Sequence, residues 1–441
     1  MSYIFRRITG NSFTGMKMFA TFKVVLISRI SMSVKDLIPK DFRTIGSIFT
    51  SLRSRNYRIY FTGQGISLIG TWIQNIALSW LVYRLTGSVF LLGLIGFTSQ
   101  IPTFVLSPVT GVLTDRYNRL RIMKLTQALF MLHALVMALL VLFNLIEVWH
   151  IIALSIVFGI ITAFDAPARQ SLVIELIDHP EDLGNAIALN SAIFNGARLV
   201  GPAIAGVVIA LVGEGICFLL NAISFGAVIV ALMQIKIPVK QVNLHPANFK
   251  ESLSEGVHYT FQSMPIRTLI IMLAILSLAG LSYIVLLPAY AKEIMHGGPD
   301  TLGYLMSALG AGALLGAFYM AARNSVVGLG KIISTSVILL GLSITLASFS
   351  DKMCYSLIVL FSGGLTMVLS LSAINTMLQT IADEDKRGRV MSFYSMALMG
   401  TNPIGNLLAG SIASGIGIPL TLLISGTITI LTGIWFGLNR K

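Results

Sequence analysis

From about residue 58 onward the sequence is a succession of apolar runs, each long enough to cross a bilayer and each ended by charged or turn residues. A spanning helix needs about 20 apolar residues to traverse roughly 30 Å of hydrocarbon. Twelve such runs are predicted, near 58–83, 88–110, 122–146, 149–166, 186–212, 215–236, 267–291, 300–321, 331–350, 354–380, 390–414 and 417–438. Charged residues make up 11% of the chain and hydrophobic ones 55%. A soluble domain carries about 25% charged residues, so a soluble globule is excluded. The 40 glycines and 19 methionines suit helices that pack closely and slide. The expected fold class is an all-α membrane protein of twelve transmembrane helices.

Charge sets the expected orientation. Of the 31 Lys and Arg, only Arg84, Lys292 and Lys352 fall at the loops on one side, and Arg198 lies inside a span. The remainder gather on the other side, and the bias survives removal of the basic tail. The positive-inside rule then places both termini in the cytoplasm of a multi-pass protein of the cell (inner) membrane. The net charge of +13 reflects this bias and attraction to anionic membrane lipid; with no soluble basic module, nucleic-acid binding is not expected. The tail, 1–57, allows two readings: a cytoplasmic segment lying on the membrane surface, or an over-extended start with Met32 as the true first residue.

The chain also repeats itself. A shift of 204 carries Ile177 to Ile381, Gly184 to Gly388, Gly201 to Gly405, Ala205 to Ala409 and Gly206 to Gly410; a shift of 205 carries Gly111 to Gly316. The expectation is a basic extension (1–57), a six-helix bundle (58–236), a cytoplasmic linker (237–266) and a second six-helix bundle (267–441), with a substrate path between the halves. Phe249, Leu253, Val257 and Phe261 recur every four residues in the linker, as in a short helix lying along the membrane. Cys217 and Cys354 are too few for a disulfide framework or a zinc site, so no metal is expected, and nothing calls for a cofactor. A single bridge between them remains open, with buried packing the default.

The segment between the second and third runs is Gly111-Val112-Leu113-Thr114-Asp115-Arg116-Tyr117-Asn118-Arg119-Leu120-Arg121, a charged loop tightly flanked by apolar residues. Twelve spans, a six-plus-six repeat and this loop resemble the major facilitator superfamily, whose G-x-L-a-D-r-x-G-r signature is matched at Gly111, Leu113, Asp115, Arg116 and Arg119. Asn118 stands where the signature has its second Gly, and is expected to take the left-handed turn. Asp165-Ala166-Pro167-Ala168-Arg169-Gln170, Asn185-Ala186, Arg198 to Gly206, Gly70-Thr71-Trp72 and Leu85-Thr86-Gly87-Ser88 further resemble the bacterial drug:proton antiporter branch that includes macrolide-efflux and enterobactin-export proteins. The resemblance covers roughly residues 50–438. It implies that Gly111, Asp115, Arg116, Arg119 and Arg121 form a latch between the halves on the cytoplasmic side; fixing topology is the simpler role of the same arginines.

Within the spans, Arg198 is the chief anomaly. A charge there costs about 2.5–3.5 kcal/mol on insertion scales and should face the bundle interior with a partner. It is expected either to bind an acceptor-rich part of the substrate or to pair with Asp165. Gly196, Gly201, Pro202 and Gly206 mark a helix bend or, equally, a packing face. Gln74, Asn75, Tyr283 and Asn375, on spans the resemblance places around the cavity, together with Arg169 and Tyr394, complete the candidates for substrate or proton contact. Asp165 is the leading proton site, expected at the inner end of the fourth span, followed by Asp115 and His133. No G-x-x-x-x-G-K-[ST] loop is present, so ATP drive is not expected. The expected function is therefore proton-driven export of a small amphipathic molecule, drug or siderophore-like, by a monomer working through alternating access. Import of a siderophore or nutrient and lipid movement are the alternatives. A membrane enzyme or receptor is disfavoured, for neither H-E-x-x-H nor G-x-S-x-G occurs.

Overall fold

The computed structural model describes residues 45–236, 259–323, 325–384 and 386–439; within its helices, the side chains of 45–48, Pro108, Val112 and Asp115 lie outside the described residues. The chain divides into two compact units, Met1–Phe49 and Thr50–Lys441. Of the first only 45–49 is described, in a 3-10 turn; the second holds all the long helices.

These are α1 Arg55–Thr86, α2 Val89–Arg116, α3 Arg119–Leu142, α4 Val148–Glu175, α5 Leu183–Val212, α6 Glu214–Gln234, the composite α7 Met264–Ile294, α8 Pro299–Ala321, α9 Leu329–Ala347, α10 Met353–Ile381, α11 Arg387–Ile416 and α12 Ile418–Leu438. By length and composition, eleven helices among the described residues can cross a membrane. The exception is α11, whose 30 residues are long enough but are interspersed with Gly, Ser and Asn.

Packing obeys the repeat. In the first half α1 lies against α5 and α6, α3 against α4 and α6, and α2 against α4; in the second α7 lies against α11 and α12, α9 against α10 and α12, and α8 against α10. The tightest joints repeat as well. One glycine links α5 to α6 (Gly213, φ 83°, ψ 173°), and its mate 204 residues on links α11 to α12 (Gly417, φ 86°, ψ 162°). That backbone region is essentially closed to side-chain-bearing residues, so the same turn recurs because only glycine can make it. The protein is an all-α membrane protein of two pseudo-symmetric six-helix bundles.

The halves meet along two related seams, α5 with α8 and α2 with α11. A Cβ on Gly206 would lie 3.0 Å from the Pro299 carbonyl oxygen and 3.2 Å from Gly303 Cα; one on Gly410 would lie 2.8 Å from Gly93 Cα and 2.9 Å from the Val89 carbonyl oxygen. Side-chain-free surfaces let backbones come this close, which maximises dispersion contact where water is absent. At the same end the Tyr83 hydroxyl of α1 donates to Glu293 of α7, and Arg84 pairs with Glu214 at 2.7 Å. The opposite end, where α1 begins and α12 finishes, carries Arg55, Arg58, Arg116, Arg121, Lys331 and Arg387, and is called the basic end below. There Gly111, Gly184, Gly196 and Gly388 have nothing within 4 Å of an added Cβ, and Val105, Ile187, Phe194 and Met396 are exposed. The bundle is shut at one end and parted at the basic end.

Several expectations are corrected. The charged segment after the second run is not a loop: α2 continues to Arg116, and only Tyr117 and Asn118 separate it from α3. Asn118 is extended (φ −62°, ψ 114°) rather than left-handed, and its side chain caps α3 by accepting from Arg121 N at 3.0 Å. The irregular span is α7: helical over Met264–Ile275, π over Leu276–Gly280, 3-10 over Ser282–Leu286 and π again over Tyr290–Ile294. Residues 50–57, assigned to the extension, fall in the second unit. Ser51 donates twice to Asn185 Oδ1 (3.1 and 2.8 Å), and Tyr57 is fully buried. The amphipathic linker helix falls almost wholly outside the described residues; Phe261, its last apolar position, meets Phe393 edge-on at 6.3 Å. Cys217 and Cys354 are both free, the first buried and the second exposed.

Candidate functional site

Where the α5–α8 seam ends, it ends at Arg198. A Cβ on Gly310 of α8 would lie 2.6 Å from the Arg198 carbonyl oxygen, and two residues toward the basic end Gly196 meets nothing. The guanidinium lies over the indole of Trp72 (α1), 5.7 Å from the ring centroid, and its Nη2 points to Met367 Sδ (α10) at 3.7 Å. Phe194 closes on Trp72 edge-on at 6.1 Å. Tyr283, in the 3-10 stretch of α7, lies within electrostatic reach of Arg198. A π face, a thioether and a phenol hold a cation in place without neutralising it. Arg198 Nε and the Tyr283 hydroxyl are both buried without a hydrogen-bond partner. One residue from each of α1, α5, α7 and α10 thus converges on a positive charge at the floor of the parted end.

Asp165 is not its counter-ion. Because α4 extends to Glu175 rather than ending near 166, Asp165 sits ten residues inside the helix and is buried, 1% exposed. One turn on, Arg169 Nη2 meets Asp165 Oδ2 at 3.0 Å, while Oδ1 accepts from Thr126 Oγ1 at 2.9 Å and Gln127 Nε2 at 2.8 Å. Hydrogen bonds to an ionised partner of this kind offset the hydration a buried carboxylate gives up.

Gln74 and Asn75 line a cavity of about 380 Å3 enclosed by α1, α2, α3 and α4 and completed by Met399 of α11. Gln74 Oε1 is held by Asn221 Nδ2 at 2.7 Å. Asn375 of α10 lies beside Tyr394 of α11, and Gln379 donates to Asn375 at 2.6 Å. Of the latch residues, Arg116 and Arg121 are exposed and Arg119 bridges to Glu175 at 2.6 Å within its own half; the Asp115 side chain lies outside the described residues. Gly201 and Gly206 serve close packing, against Trp72 and the start of α8.

Sequence reasoning did not identify the break in α7, although Ser277, Gly280, Ser282 and Pro288 cluster there. It is stabilised from α11, for Ser277 Oγ donates to the Leu398 carbonyl at 2.7 Å and Thr401 Oγ1 to the Ala274 carbonyl at 3.2 Å. Met367 and Ser155 carry no sequence signal, since an isolated Met or Ser in a span is ordinary.

Comparison with known proteins shows similarity along most of the chain. The chain is 26% identical over 390 residues to the staphyloferrin A transporter of Staphylococcus aureus, covering 87% of this chain and 96% of that protein. It is 25% identical over 375 residues to the multidrug efflux pump Tap of Mycolicibacterium fortuitum, covering 83% and 91%. Its fold superposes on the crystal structure of a POT family transporter in complex with 5-aminolevulinic acid with a TM-score of 0.69 at 14% identity, over 87% of this chain and 96% of that one. Residues 46–440 match the transmembrane secretion effector family: the chain belongs to that family and is a secondary transporter of the major facilitator superfamily.

Proposed function

We propose that the protein exports a small amphipathic molecule, drug or siderophore-like, by alternating access coupled to protons. The observation that carries this reading is the position of Arg198, a partly exposed cation at the point where the closed seam gives way to the parted end. An apolar wall of Trp72, Phe194 and Met367 surrounds it. A molecule entering from the basic end, cytoplasmic in this reading, would place an acceptor-rich group on Arg198 and its apolar body against that wall. The relatives named for staphyloferrin A transport and for multidrug efflux are consistent with such cargo. When the basic end shuts, Asp115 latches the halves together with the arginines around it, of which Arg116 and Arg121 are exposed, hydrated charges that can be parted in each cycle.

Asp165 is the proton carrier in this scheme. Among the described residues it and Glu214 are the buried carboxylates, and Asp165 has one oxygen paired with Arg169, whose side chain is partly exposed. If Arg169 moves away, the buried carboxylate loses its paired cation and takes up a proton on Oδ2, while Oδ1 keeps its bonds from Thr126 and Gln127. Two measurements test the scheme. In a deletion strain, compounds retained in cells under iron-poor and iron-rich growth are compared with those in medium. Restoring Arg198→Ala should fail to return them to the medium, with protein level unchanged; normal release rejects the substrate role. In everted vesicles Asp165→Asn should keep downhill exchange and lose proton-driven accumulation, and retention of the latter rejects the proton role.

A further inference from the structure

Two of the side chains lining the cavity between α1, α2, α3 and α4 carry a buried polar atom that no protein group satisfies. His133 is 6% exposed and Ser155 3%, and both line the cavity. His133 Nε2 lies 3.1 Å from the Leu154 carbonyl oxygen. A carbonyl can only accept, so Nε2 carries the hydrogen, and the neutral ring leaves Nδ1 as a bare acceptor. That Nδ1 is buried with no hydrogen-bond partner, and so is Ser155 Oγ. A buried acceptor without a donor costs free energy that protein interiors rarely tolerate. Among the described residues lining the cavity none is Asp, Glu, Lys or Arg; the rest of the wall is amide, hydroxyl, thioether and hydrocarbon.

The cavity is also reachable. Its volume lies at the lower end of the range for small-molecule sites. Asn75 on its rim is exposed and stands three residues after Trp72, about 4.5 Å along the same helix face. Met399, 50% exposed, closes it from the other half. An occupant would therefore touch both halves and lie next to the Arg198 station.

We propose that this cavity is a second contact station for the transported molecule. It takes an uncharged portion that bears an O–H or N–H donor on an apolar body, with His133 Nδ1 as the acceptor, Ser155 Oγ as a further polar contact and Met399 as the contact from the opposite half. The assignment of the occupant rests on the transport reading above, whereas the binding chemistry of the cavity can be measured without transport. A cargo recognised at both stations has an anionic or acceptor-rich end for Arg198 and a neutral, donor-bearing end for His133.

The test is equilibrium binding to the full chain in nanodiscs, with no gradient. The probes are chloramphenicol, an uncharged aryl diol with an amide N–H, and its di-O-methyl ether. The parent should bind about tenfold more tightly than the ether, the scale of one lost hydrogen bond to a buried acceptor. His133→Phe, which keeps the ring and removes the acceptor, should abolish that ratio. Should His133→Phe fail to fold, Met399→Trp supplies a second reading from an exposed position: by filling the mouth it should weaken both probes about tenfold. The proposal is overturned if the wild type binds neither probe or both equally, if the ratio survives His133→Phe, or if Met399→Trp binds as the wild type does. A failure of export in vesicles with the ratio intact counts against the transport reading and leaves the cavity chemistry standing.

Discussion

In the first half Gln64, Gln74, Gln127, His133, Asp165, Glu214 and Asn221 are buried amides, carboxylates or imidazole, whereas in the second half Asn406 alone among the described residues is of that kind. The second half buries hydroxyls instead, and these mostly return to backbone carbonyls, as Ser334 does to Gly433 at 3.0 Å and Thr429 to Ser425 at 2.7 Å. The repeat-related first helices differ in the same sense. α1 is one uninterrupted helix of 32 residues, and α7 changes hydrogen-bonding pattern four times along Met264–Ile294. π segments of this kind recur at functional sites. The same packing plan thus separates two tasks: the first half holds groups that recognise and ionise, and the second supplies a helix whose backbone can rearrange beside them.

The largest expected effect tests the chemical side of that contrast. Asp165→Leu leaves Arg169 without its counter-ion and should cost about 3–5 kcal/mol of stability, while Asn406→Leu in the second half should cost under about 1.5 kcal/mol. Thermal melting of both variants in one detergent decides, and equal losses would break the comparison. Next are the seams. Gly206→Leu or Gly410→Leu should oppose closure at the end away from the termini by about 1–3 kcal/mol. Spin-label distances between Arg84→Cys and Lys292→Cys would then lengthen; an unchanged distribution would mean that glycine contacts do not govern closure. A smaller shift is expected for Tyr83→Phe, which removes the bond to Glu293 across the halves. Since Glu293 is exposed, the change should be only a few-fold in the same distances. Smallest is Ser277→Ala, which frees one carbonyl of α11 and should lower stability by roughly 0.5–1.5 kcal/mol, sharpening the view that α7 is held in its broken form by α11.

Much of the fold was legible because the bilayer imposes a one-dimensional constraint. All twelve runs correspond to long helical segments, and the 204-residue shift reappears as Gly213 and Gly417 in the same backbone conformation. Helix ends were read short wherever polar residues extend a helix beyond its apolar run, as at Arg116 and Glu175. The candidate site was legible only in part. Arg198 announced itself by the cost of its charge, but Asp165 was offered as one of its two alternative partners, beside the substrate, on type alone. On an α-helix residues four apart share a face, so Arg169 had the prior claim. The break in α7 escaped notice because π and 3-10 segments are set by what packs beside them rather than by propensity.

Hydropathy, charge asymmetry and internal repetition, read from the chain alone, determined that this is a twelve-helix, two-bundle membrane protein with an anomalous arginine in its fifth span, because each depends on composition along a line. Only the tertiary structure decided that Trp72, Met367 and Tyr283 surround that arginine, that Asp165 belongs to Arg169, and that His133 and Ser155 face a shared cavity. Those partners come from helices far apart in the chain, and their meeting is settled by how the two bundles pack.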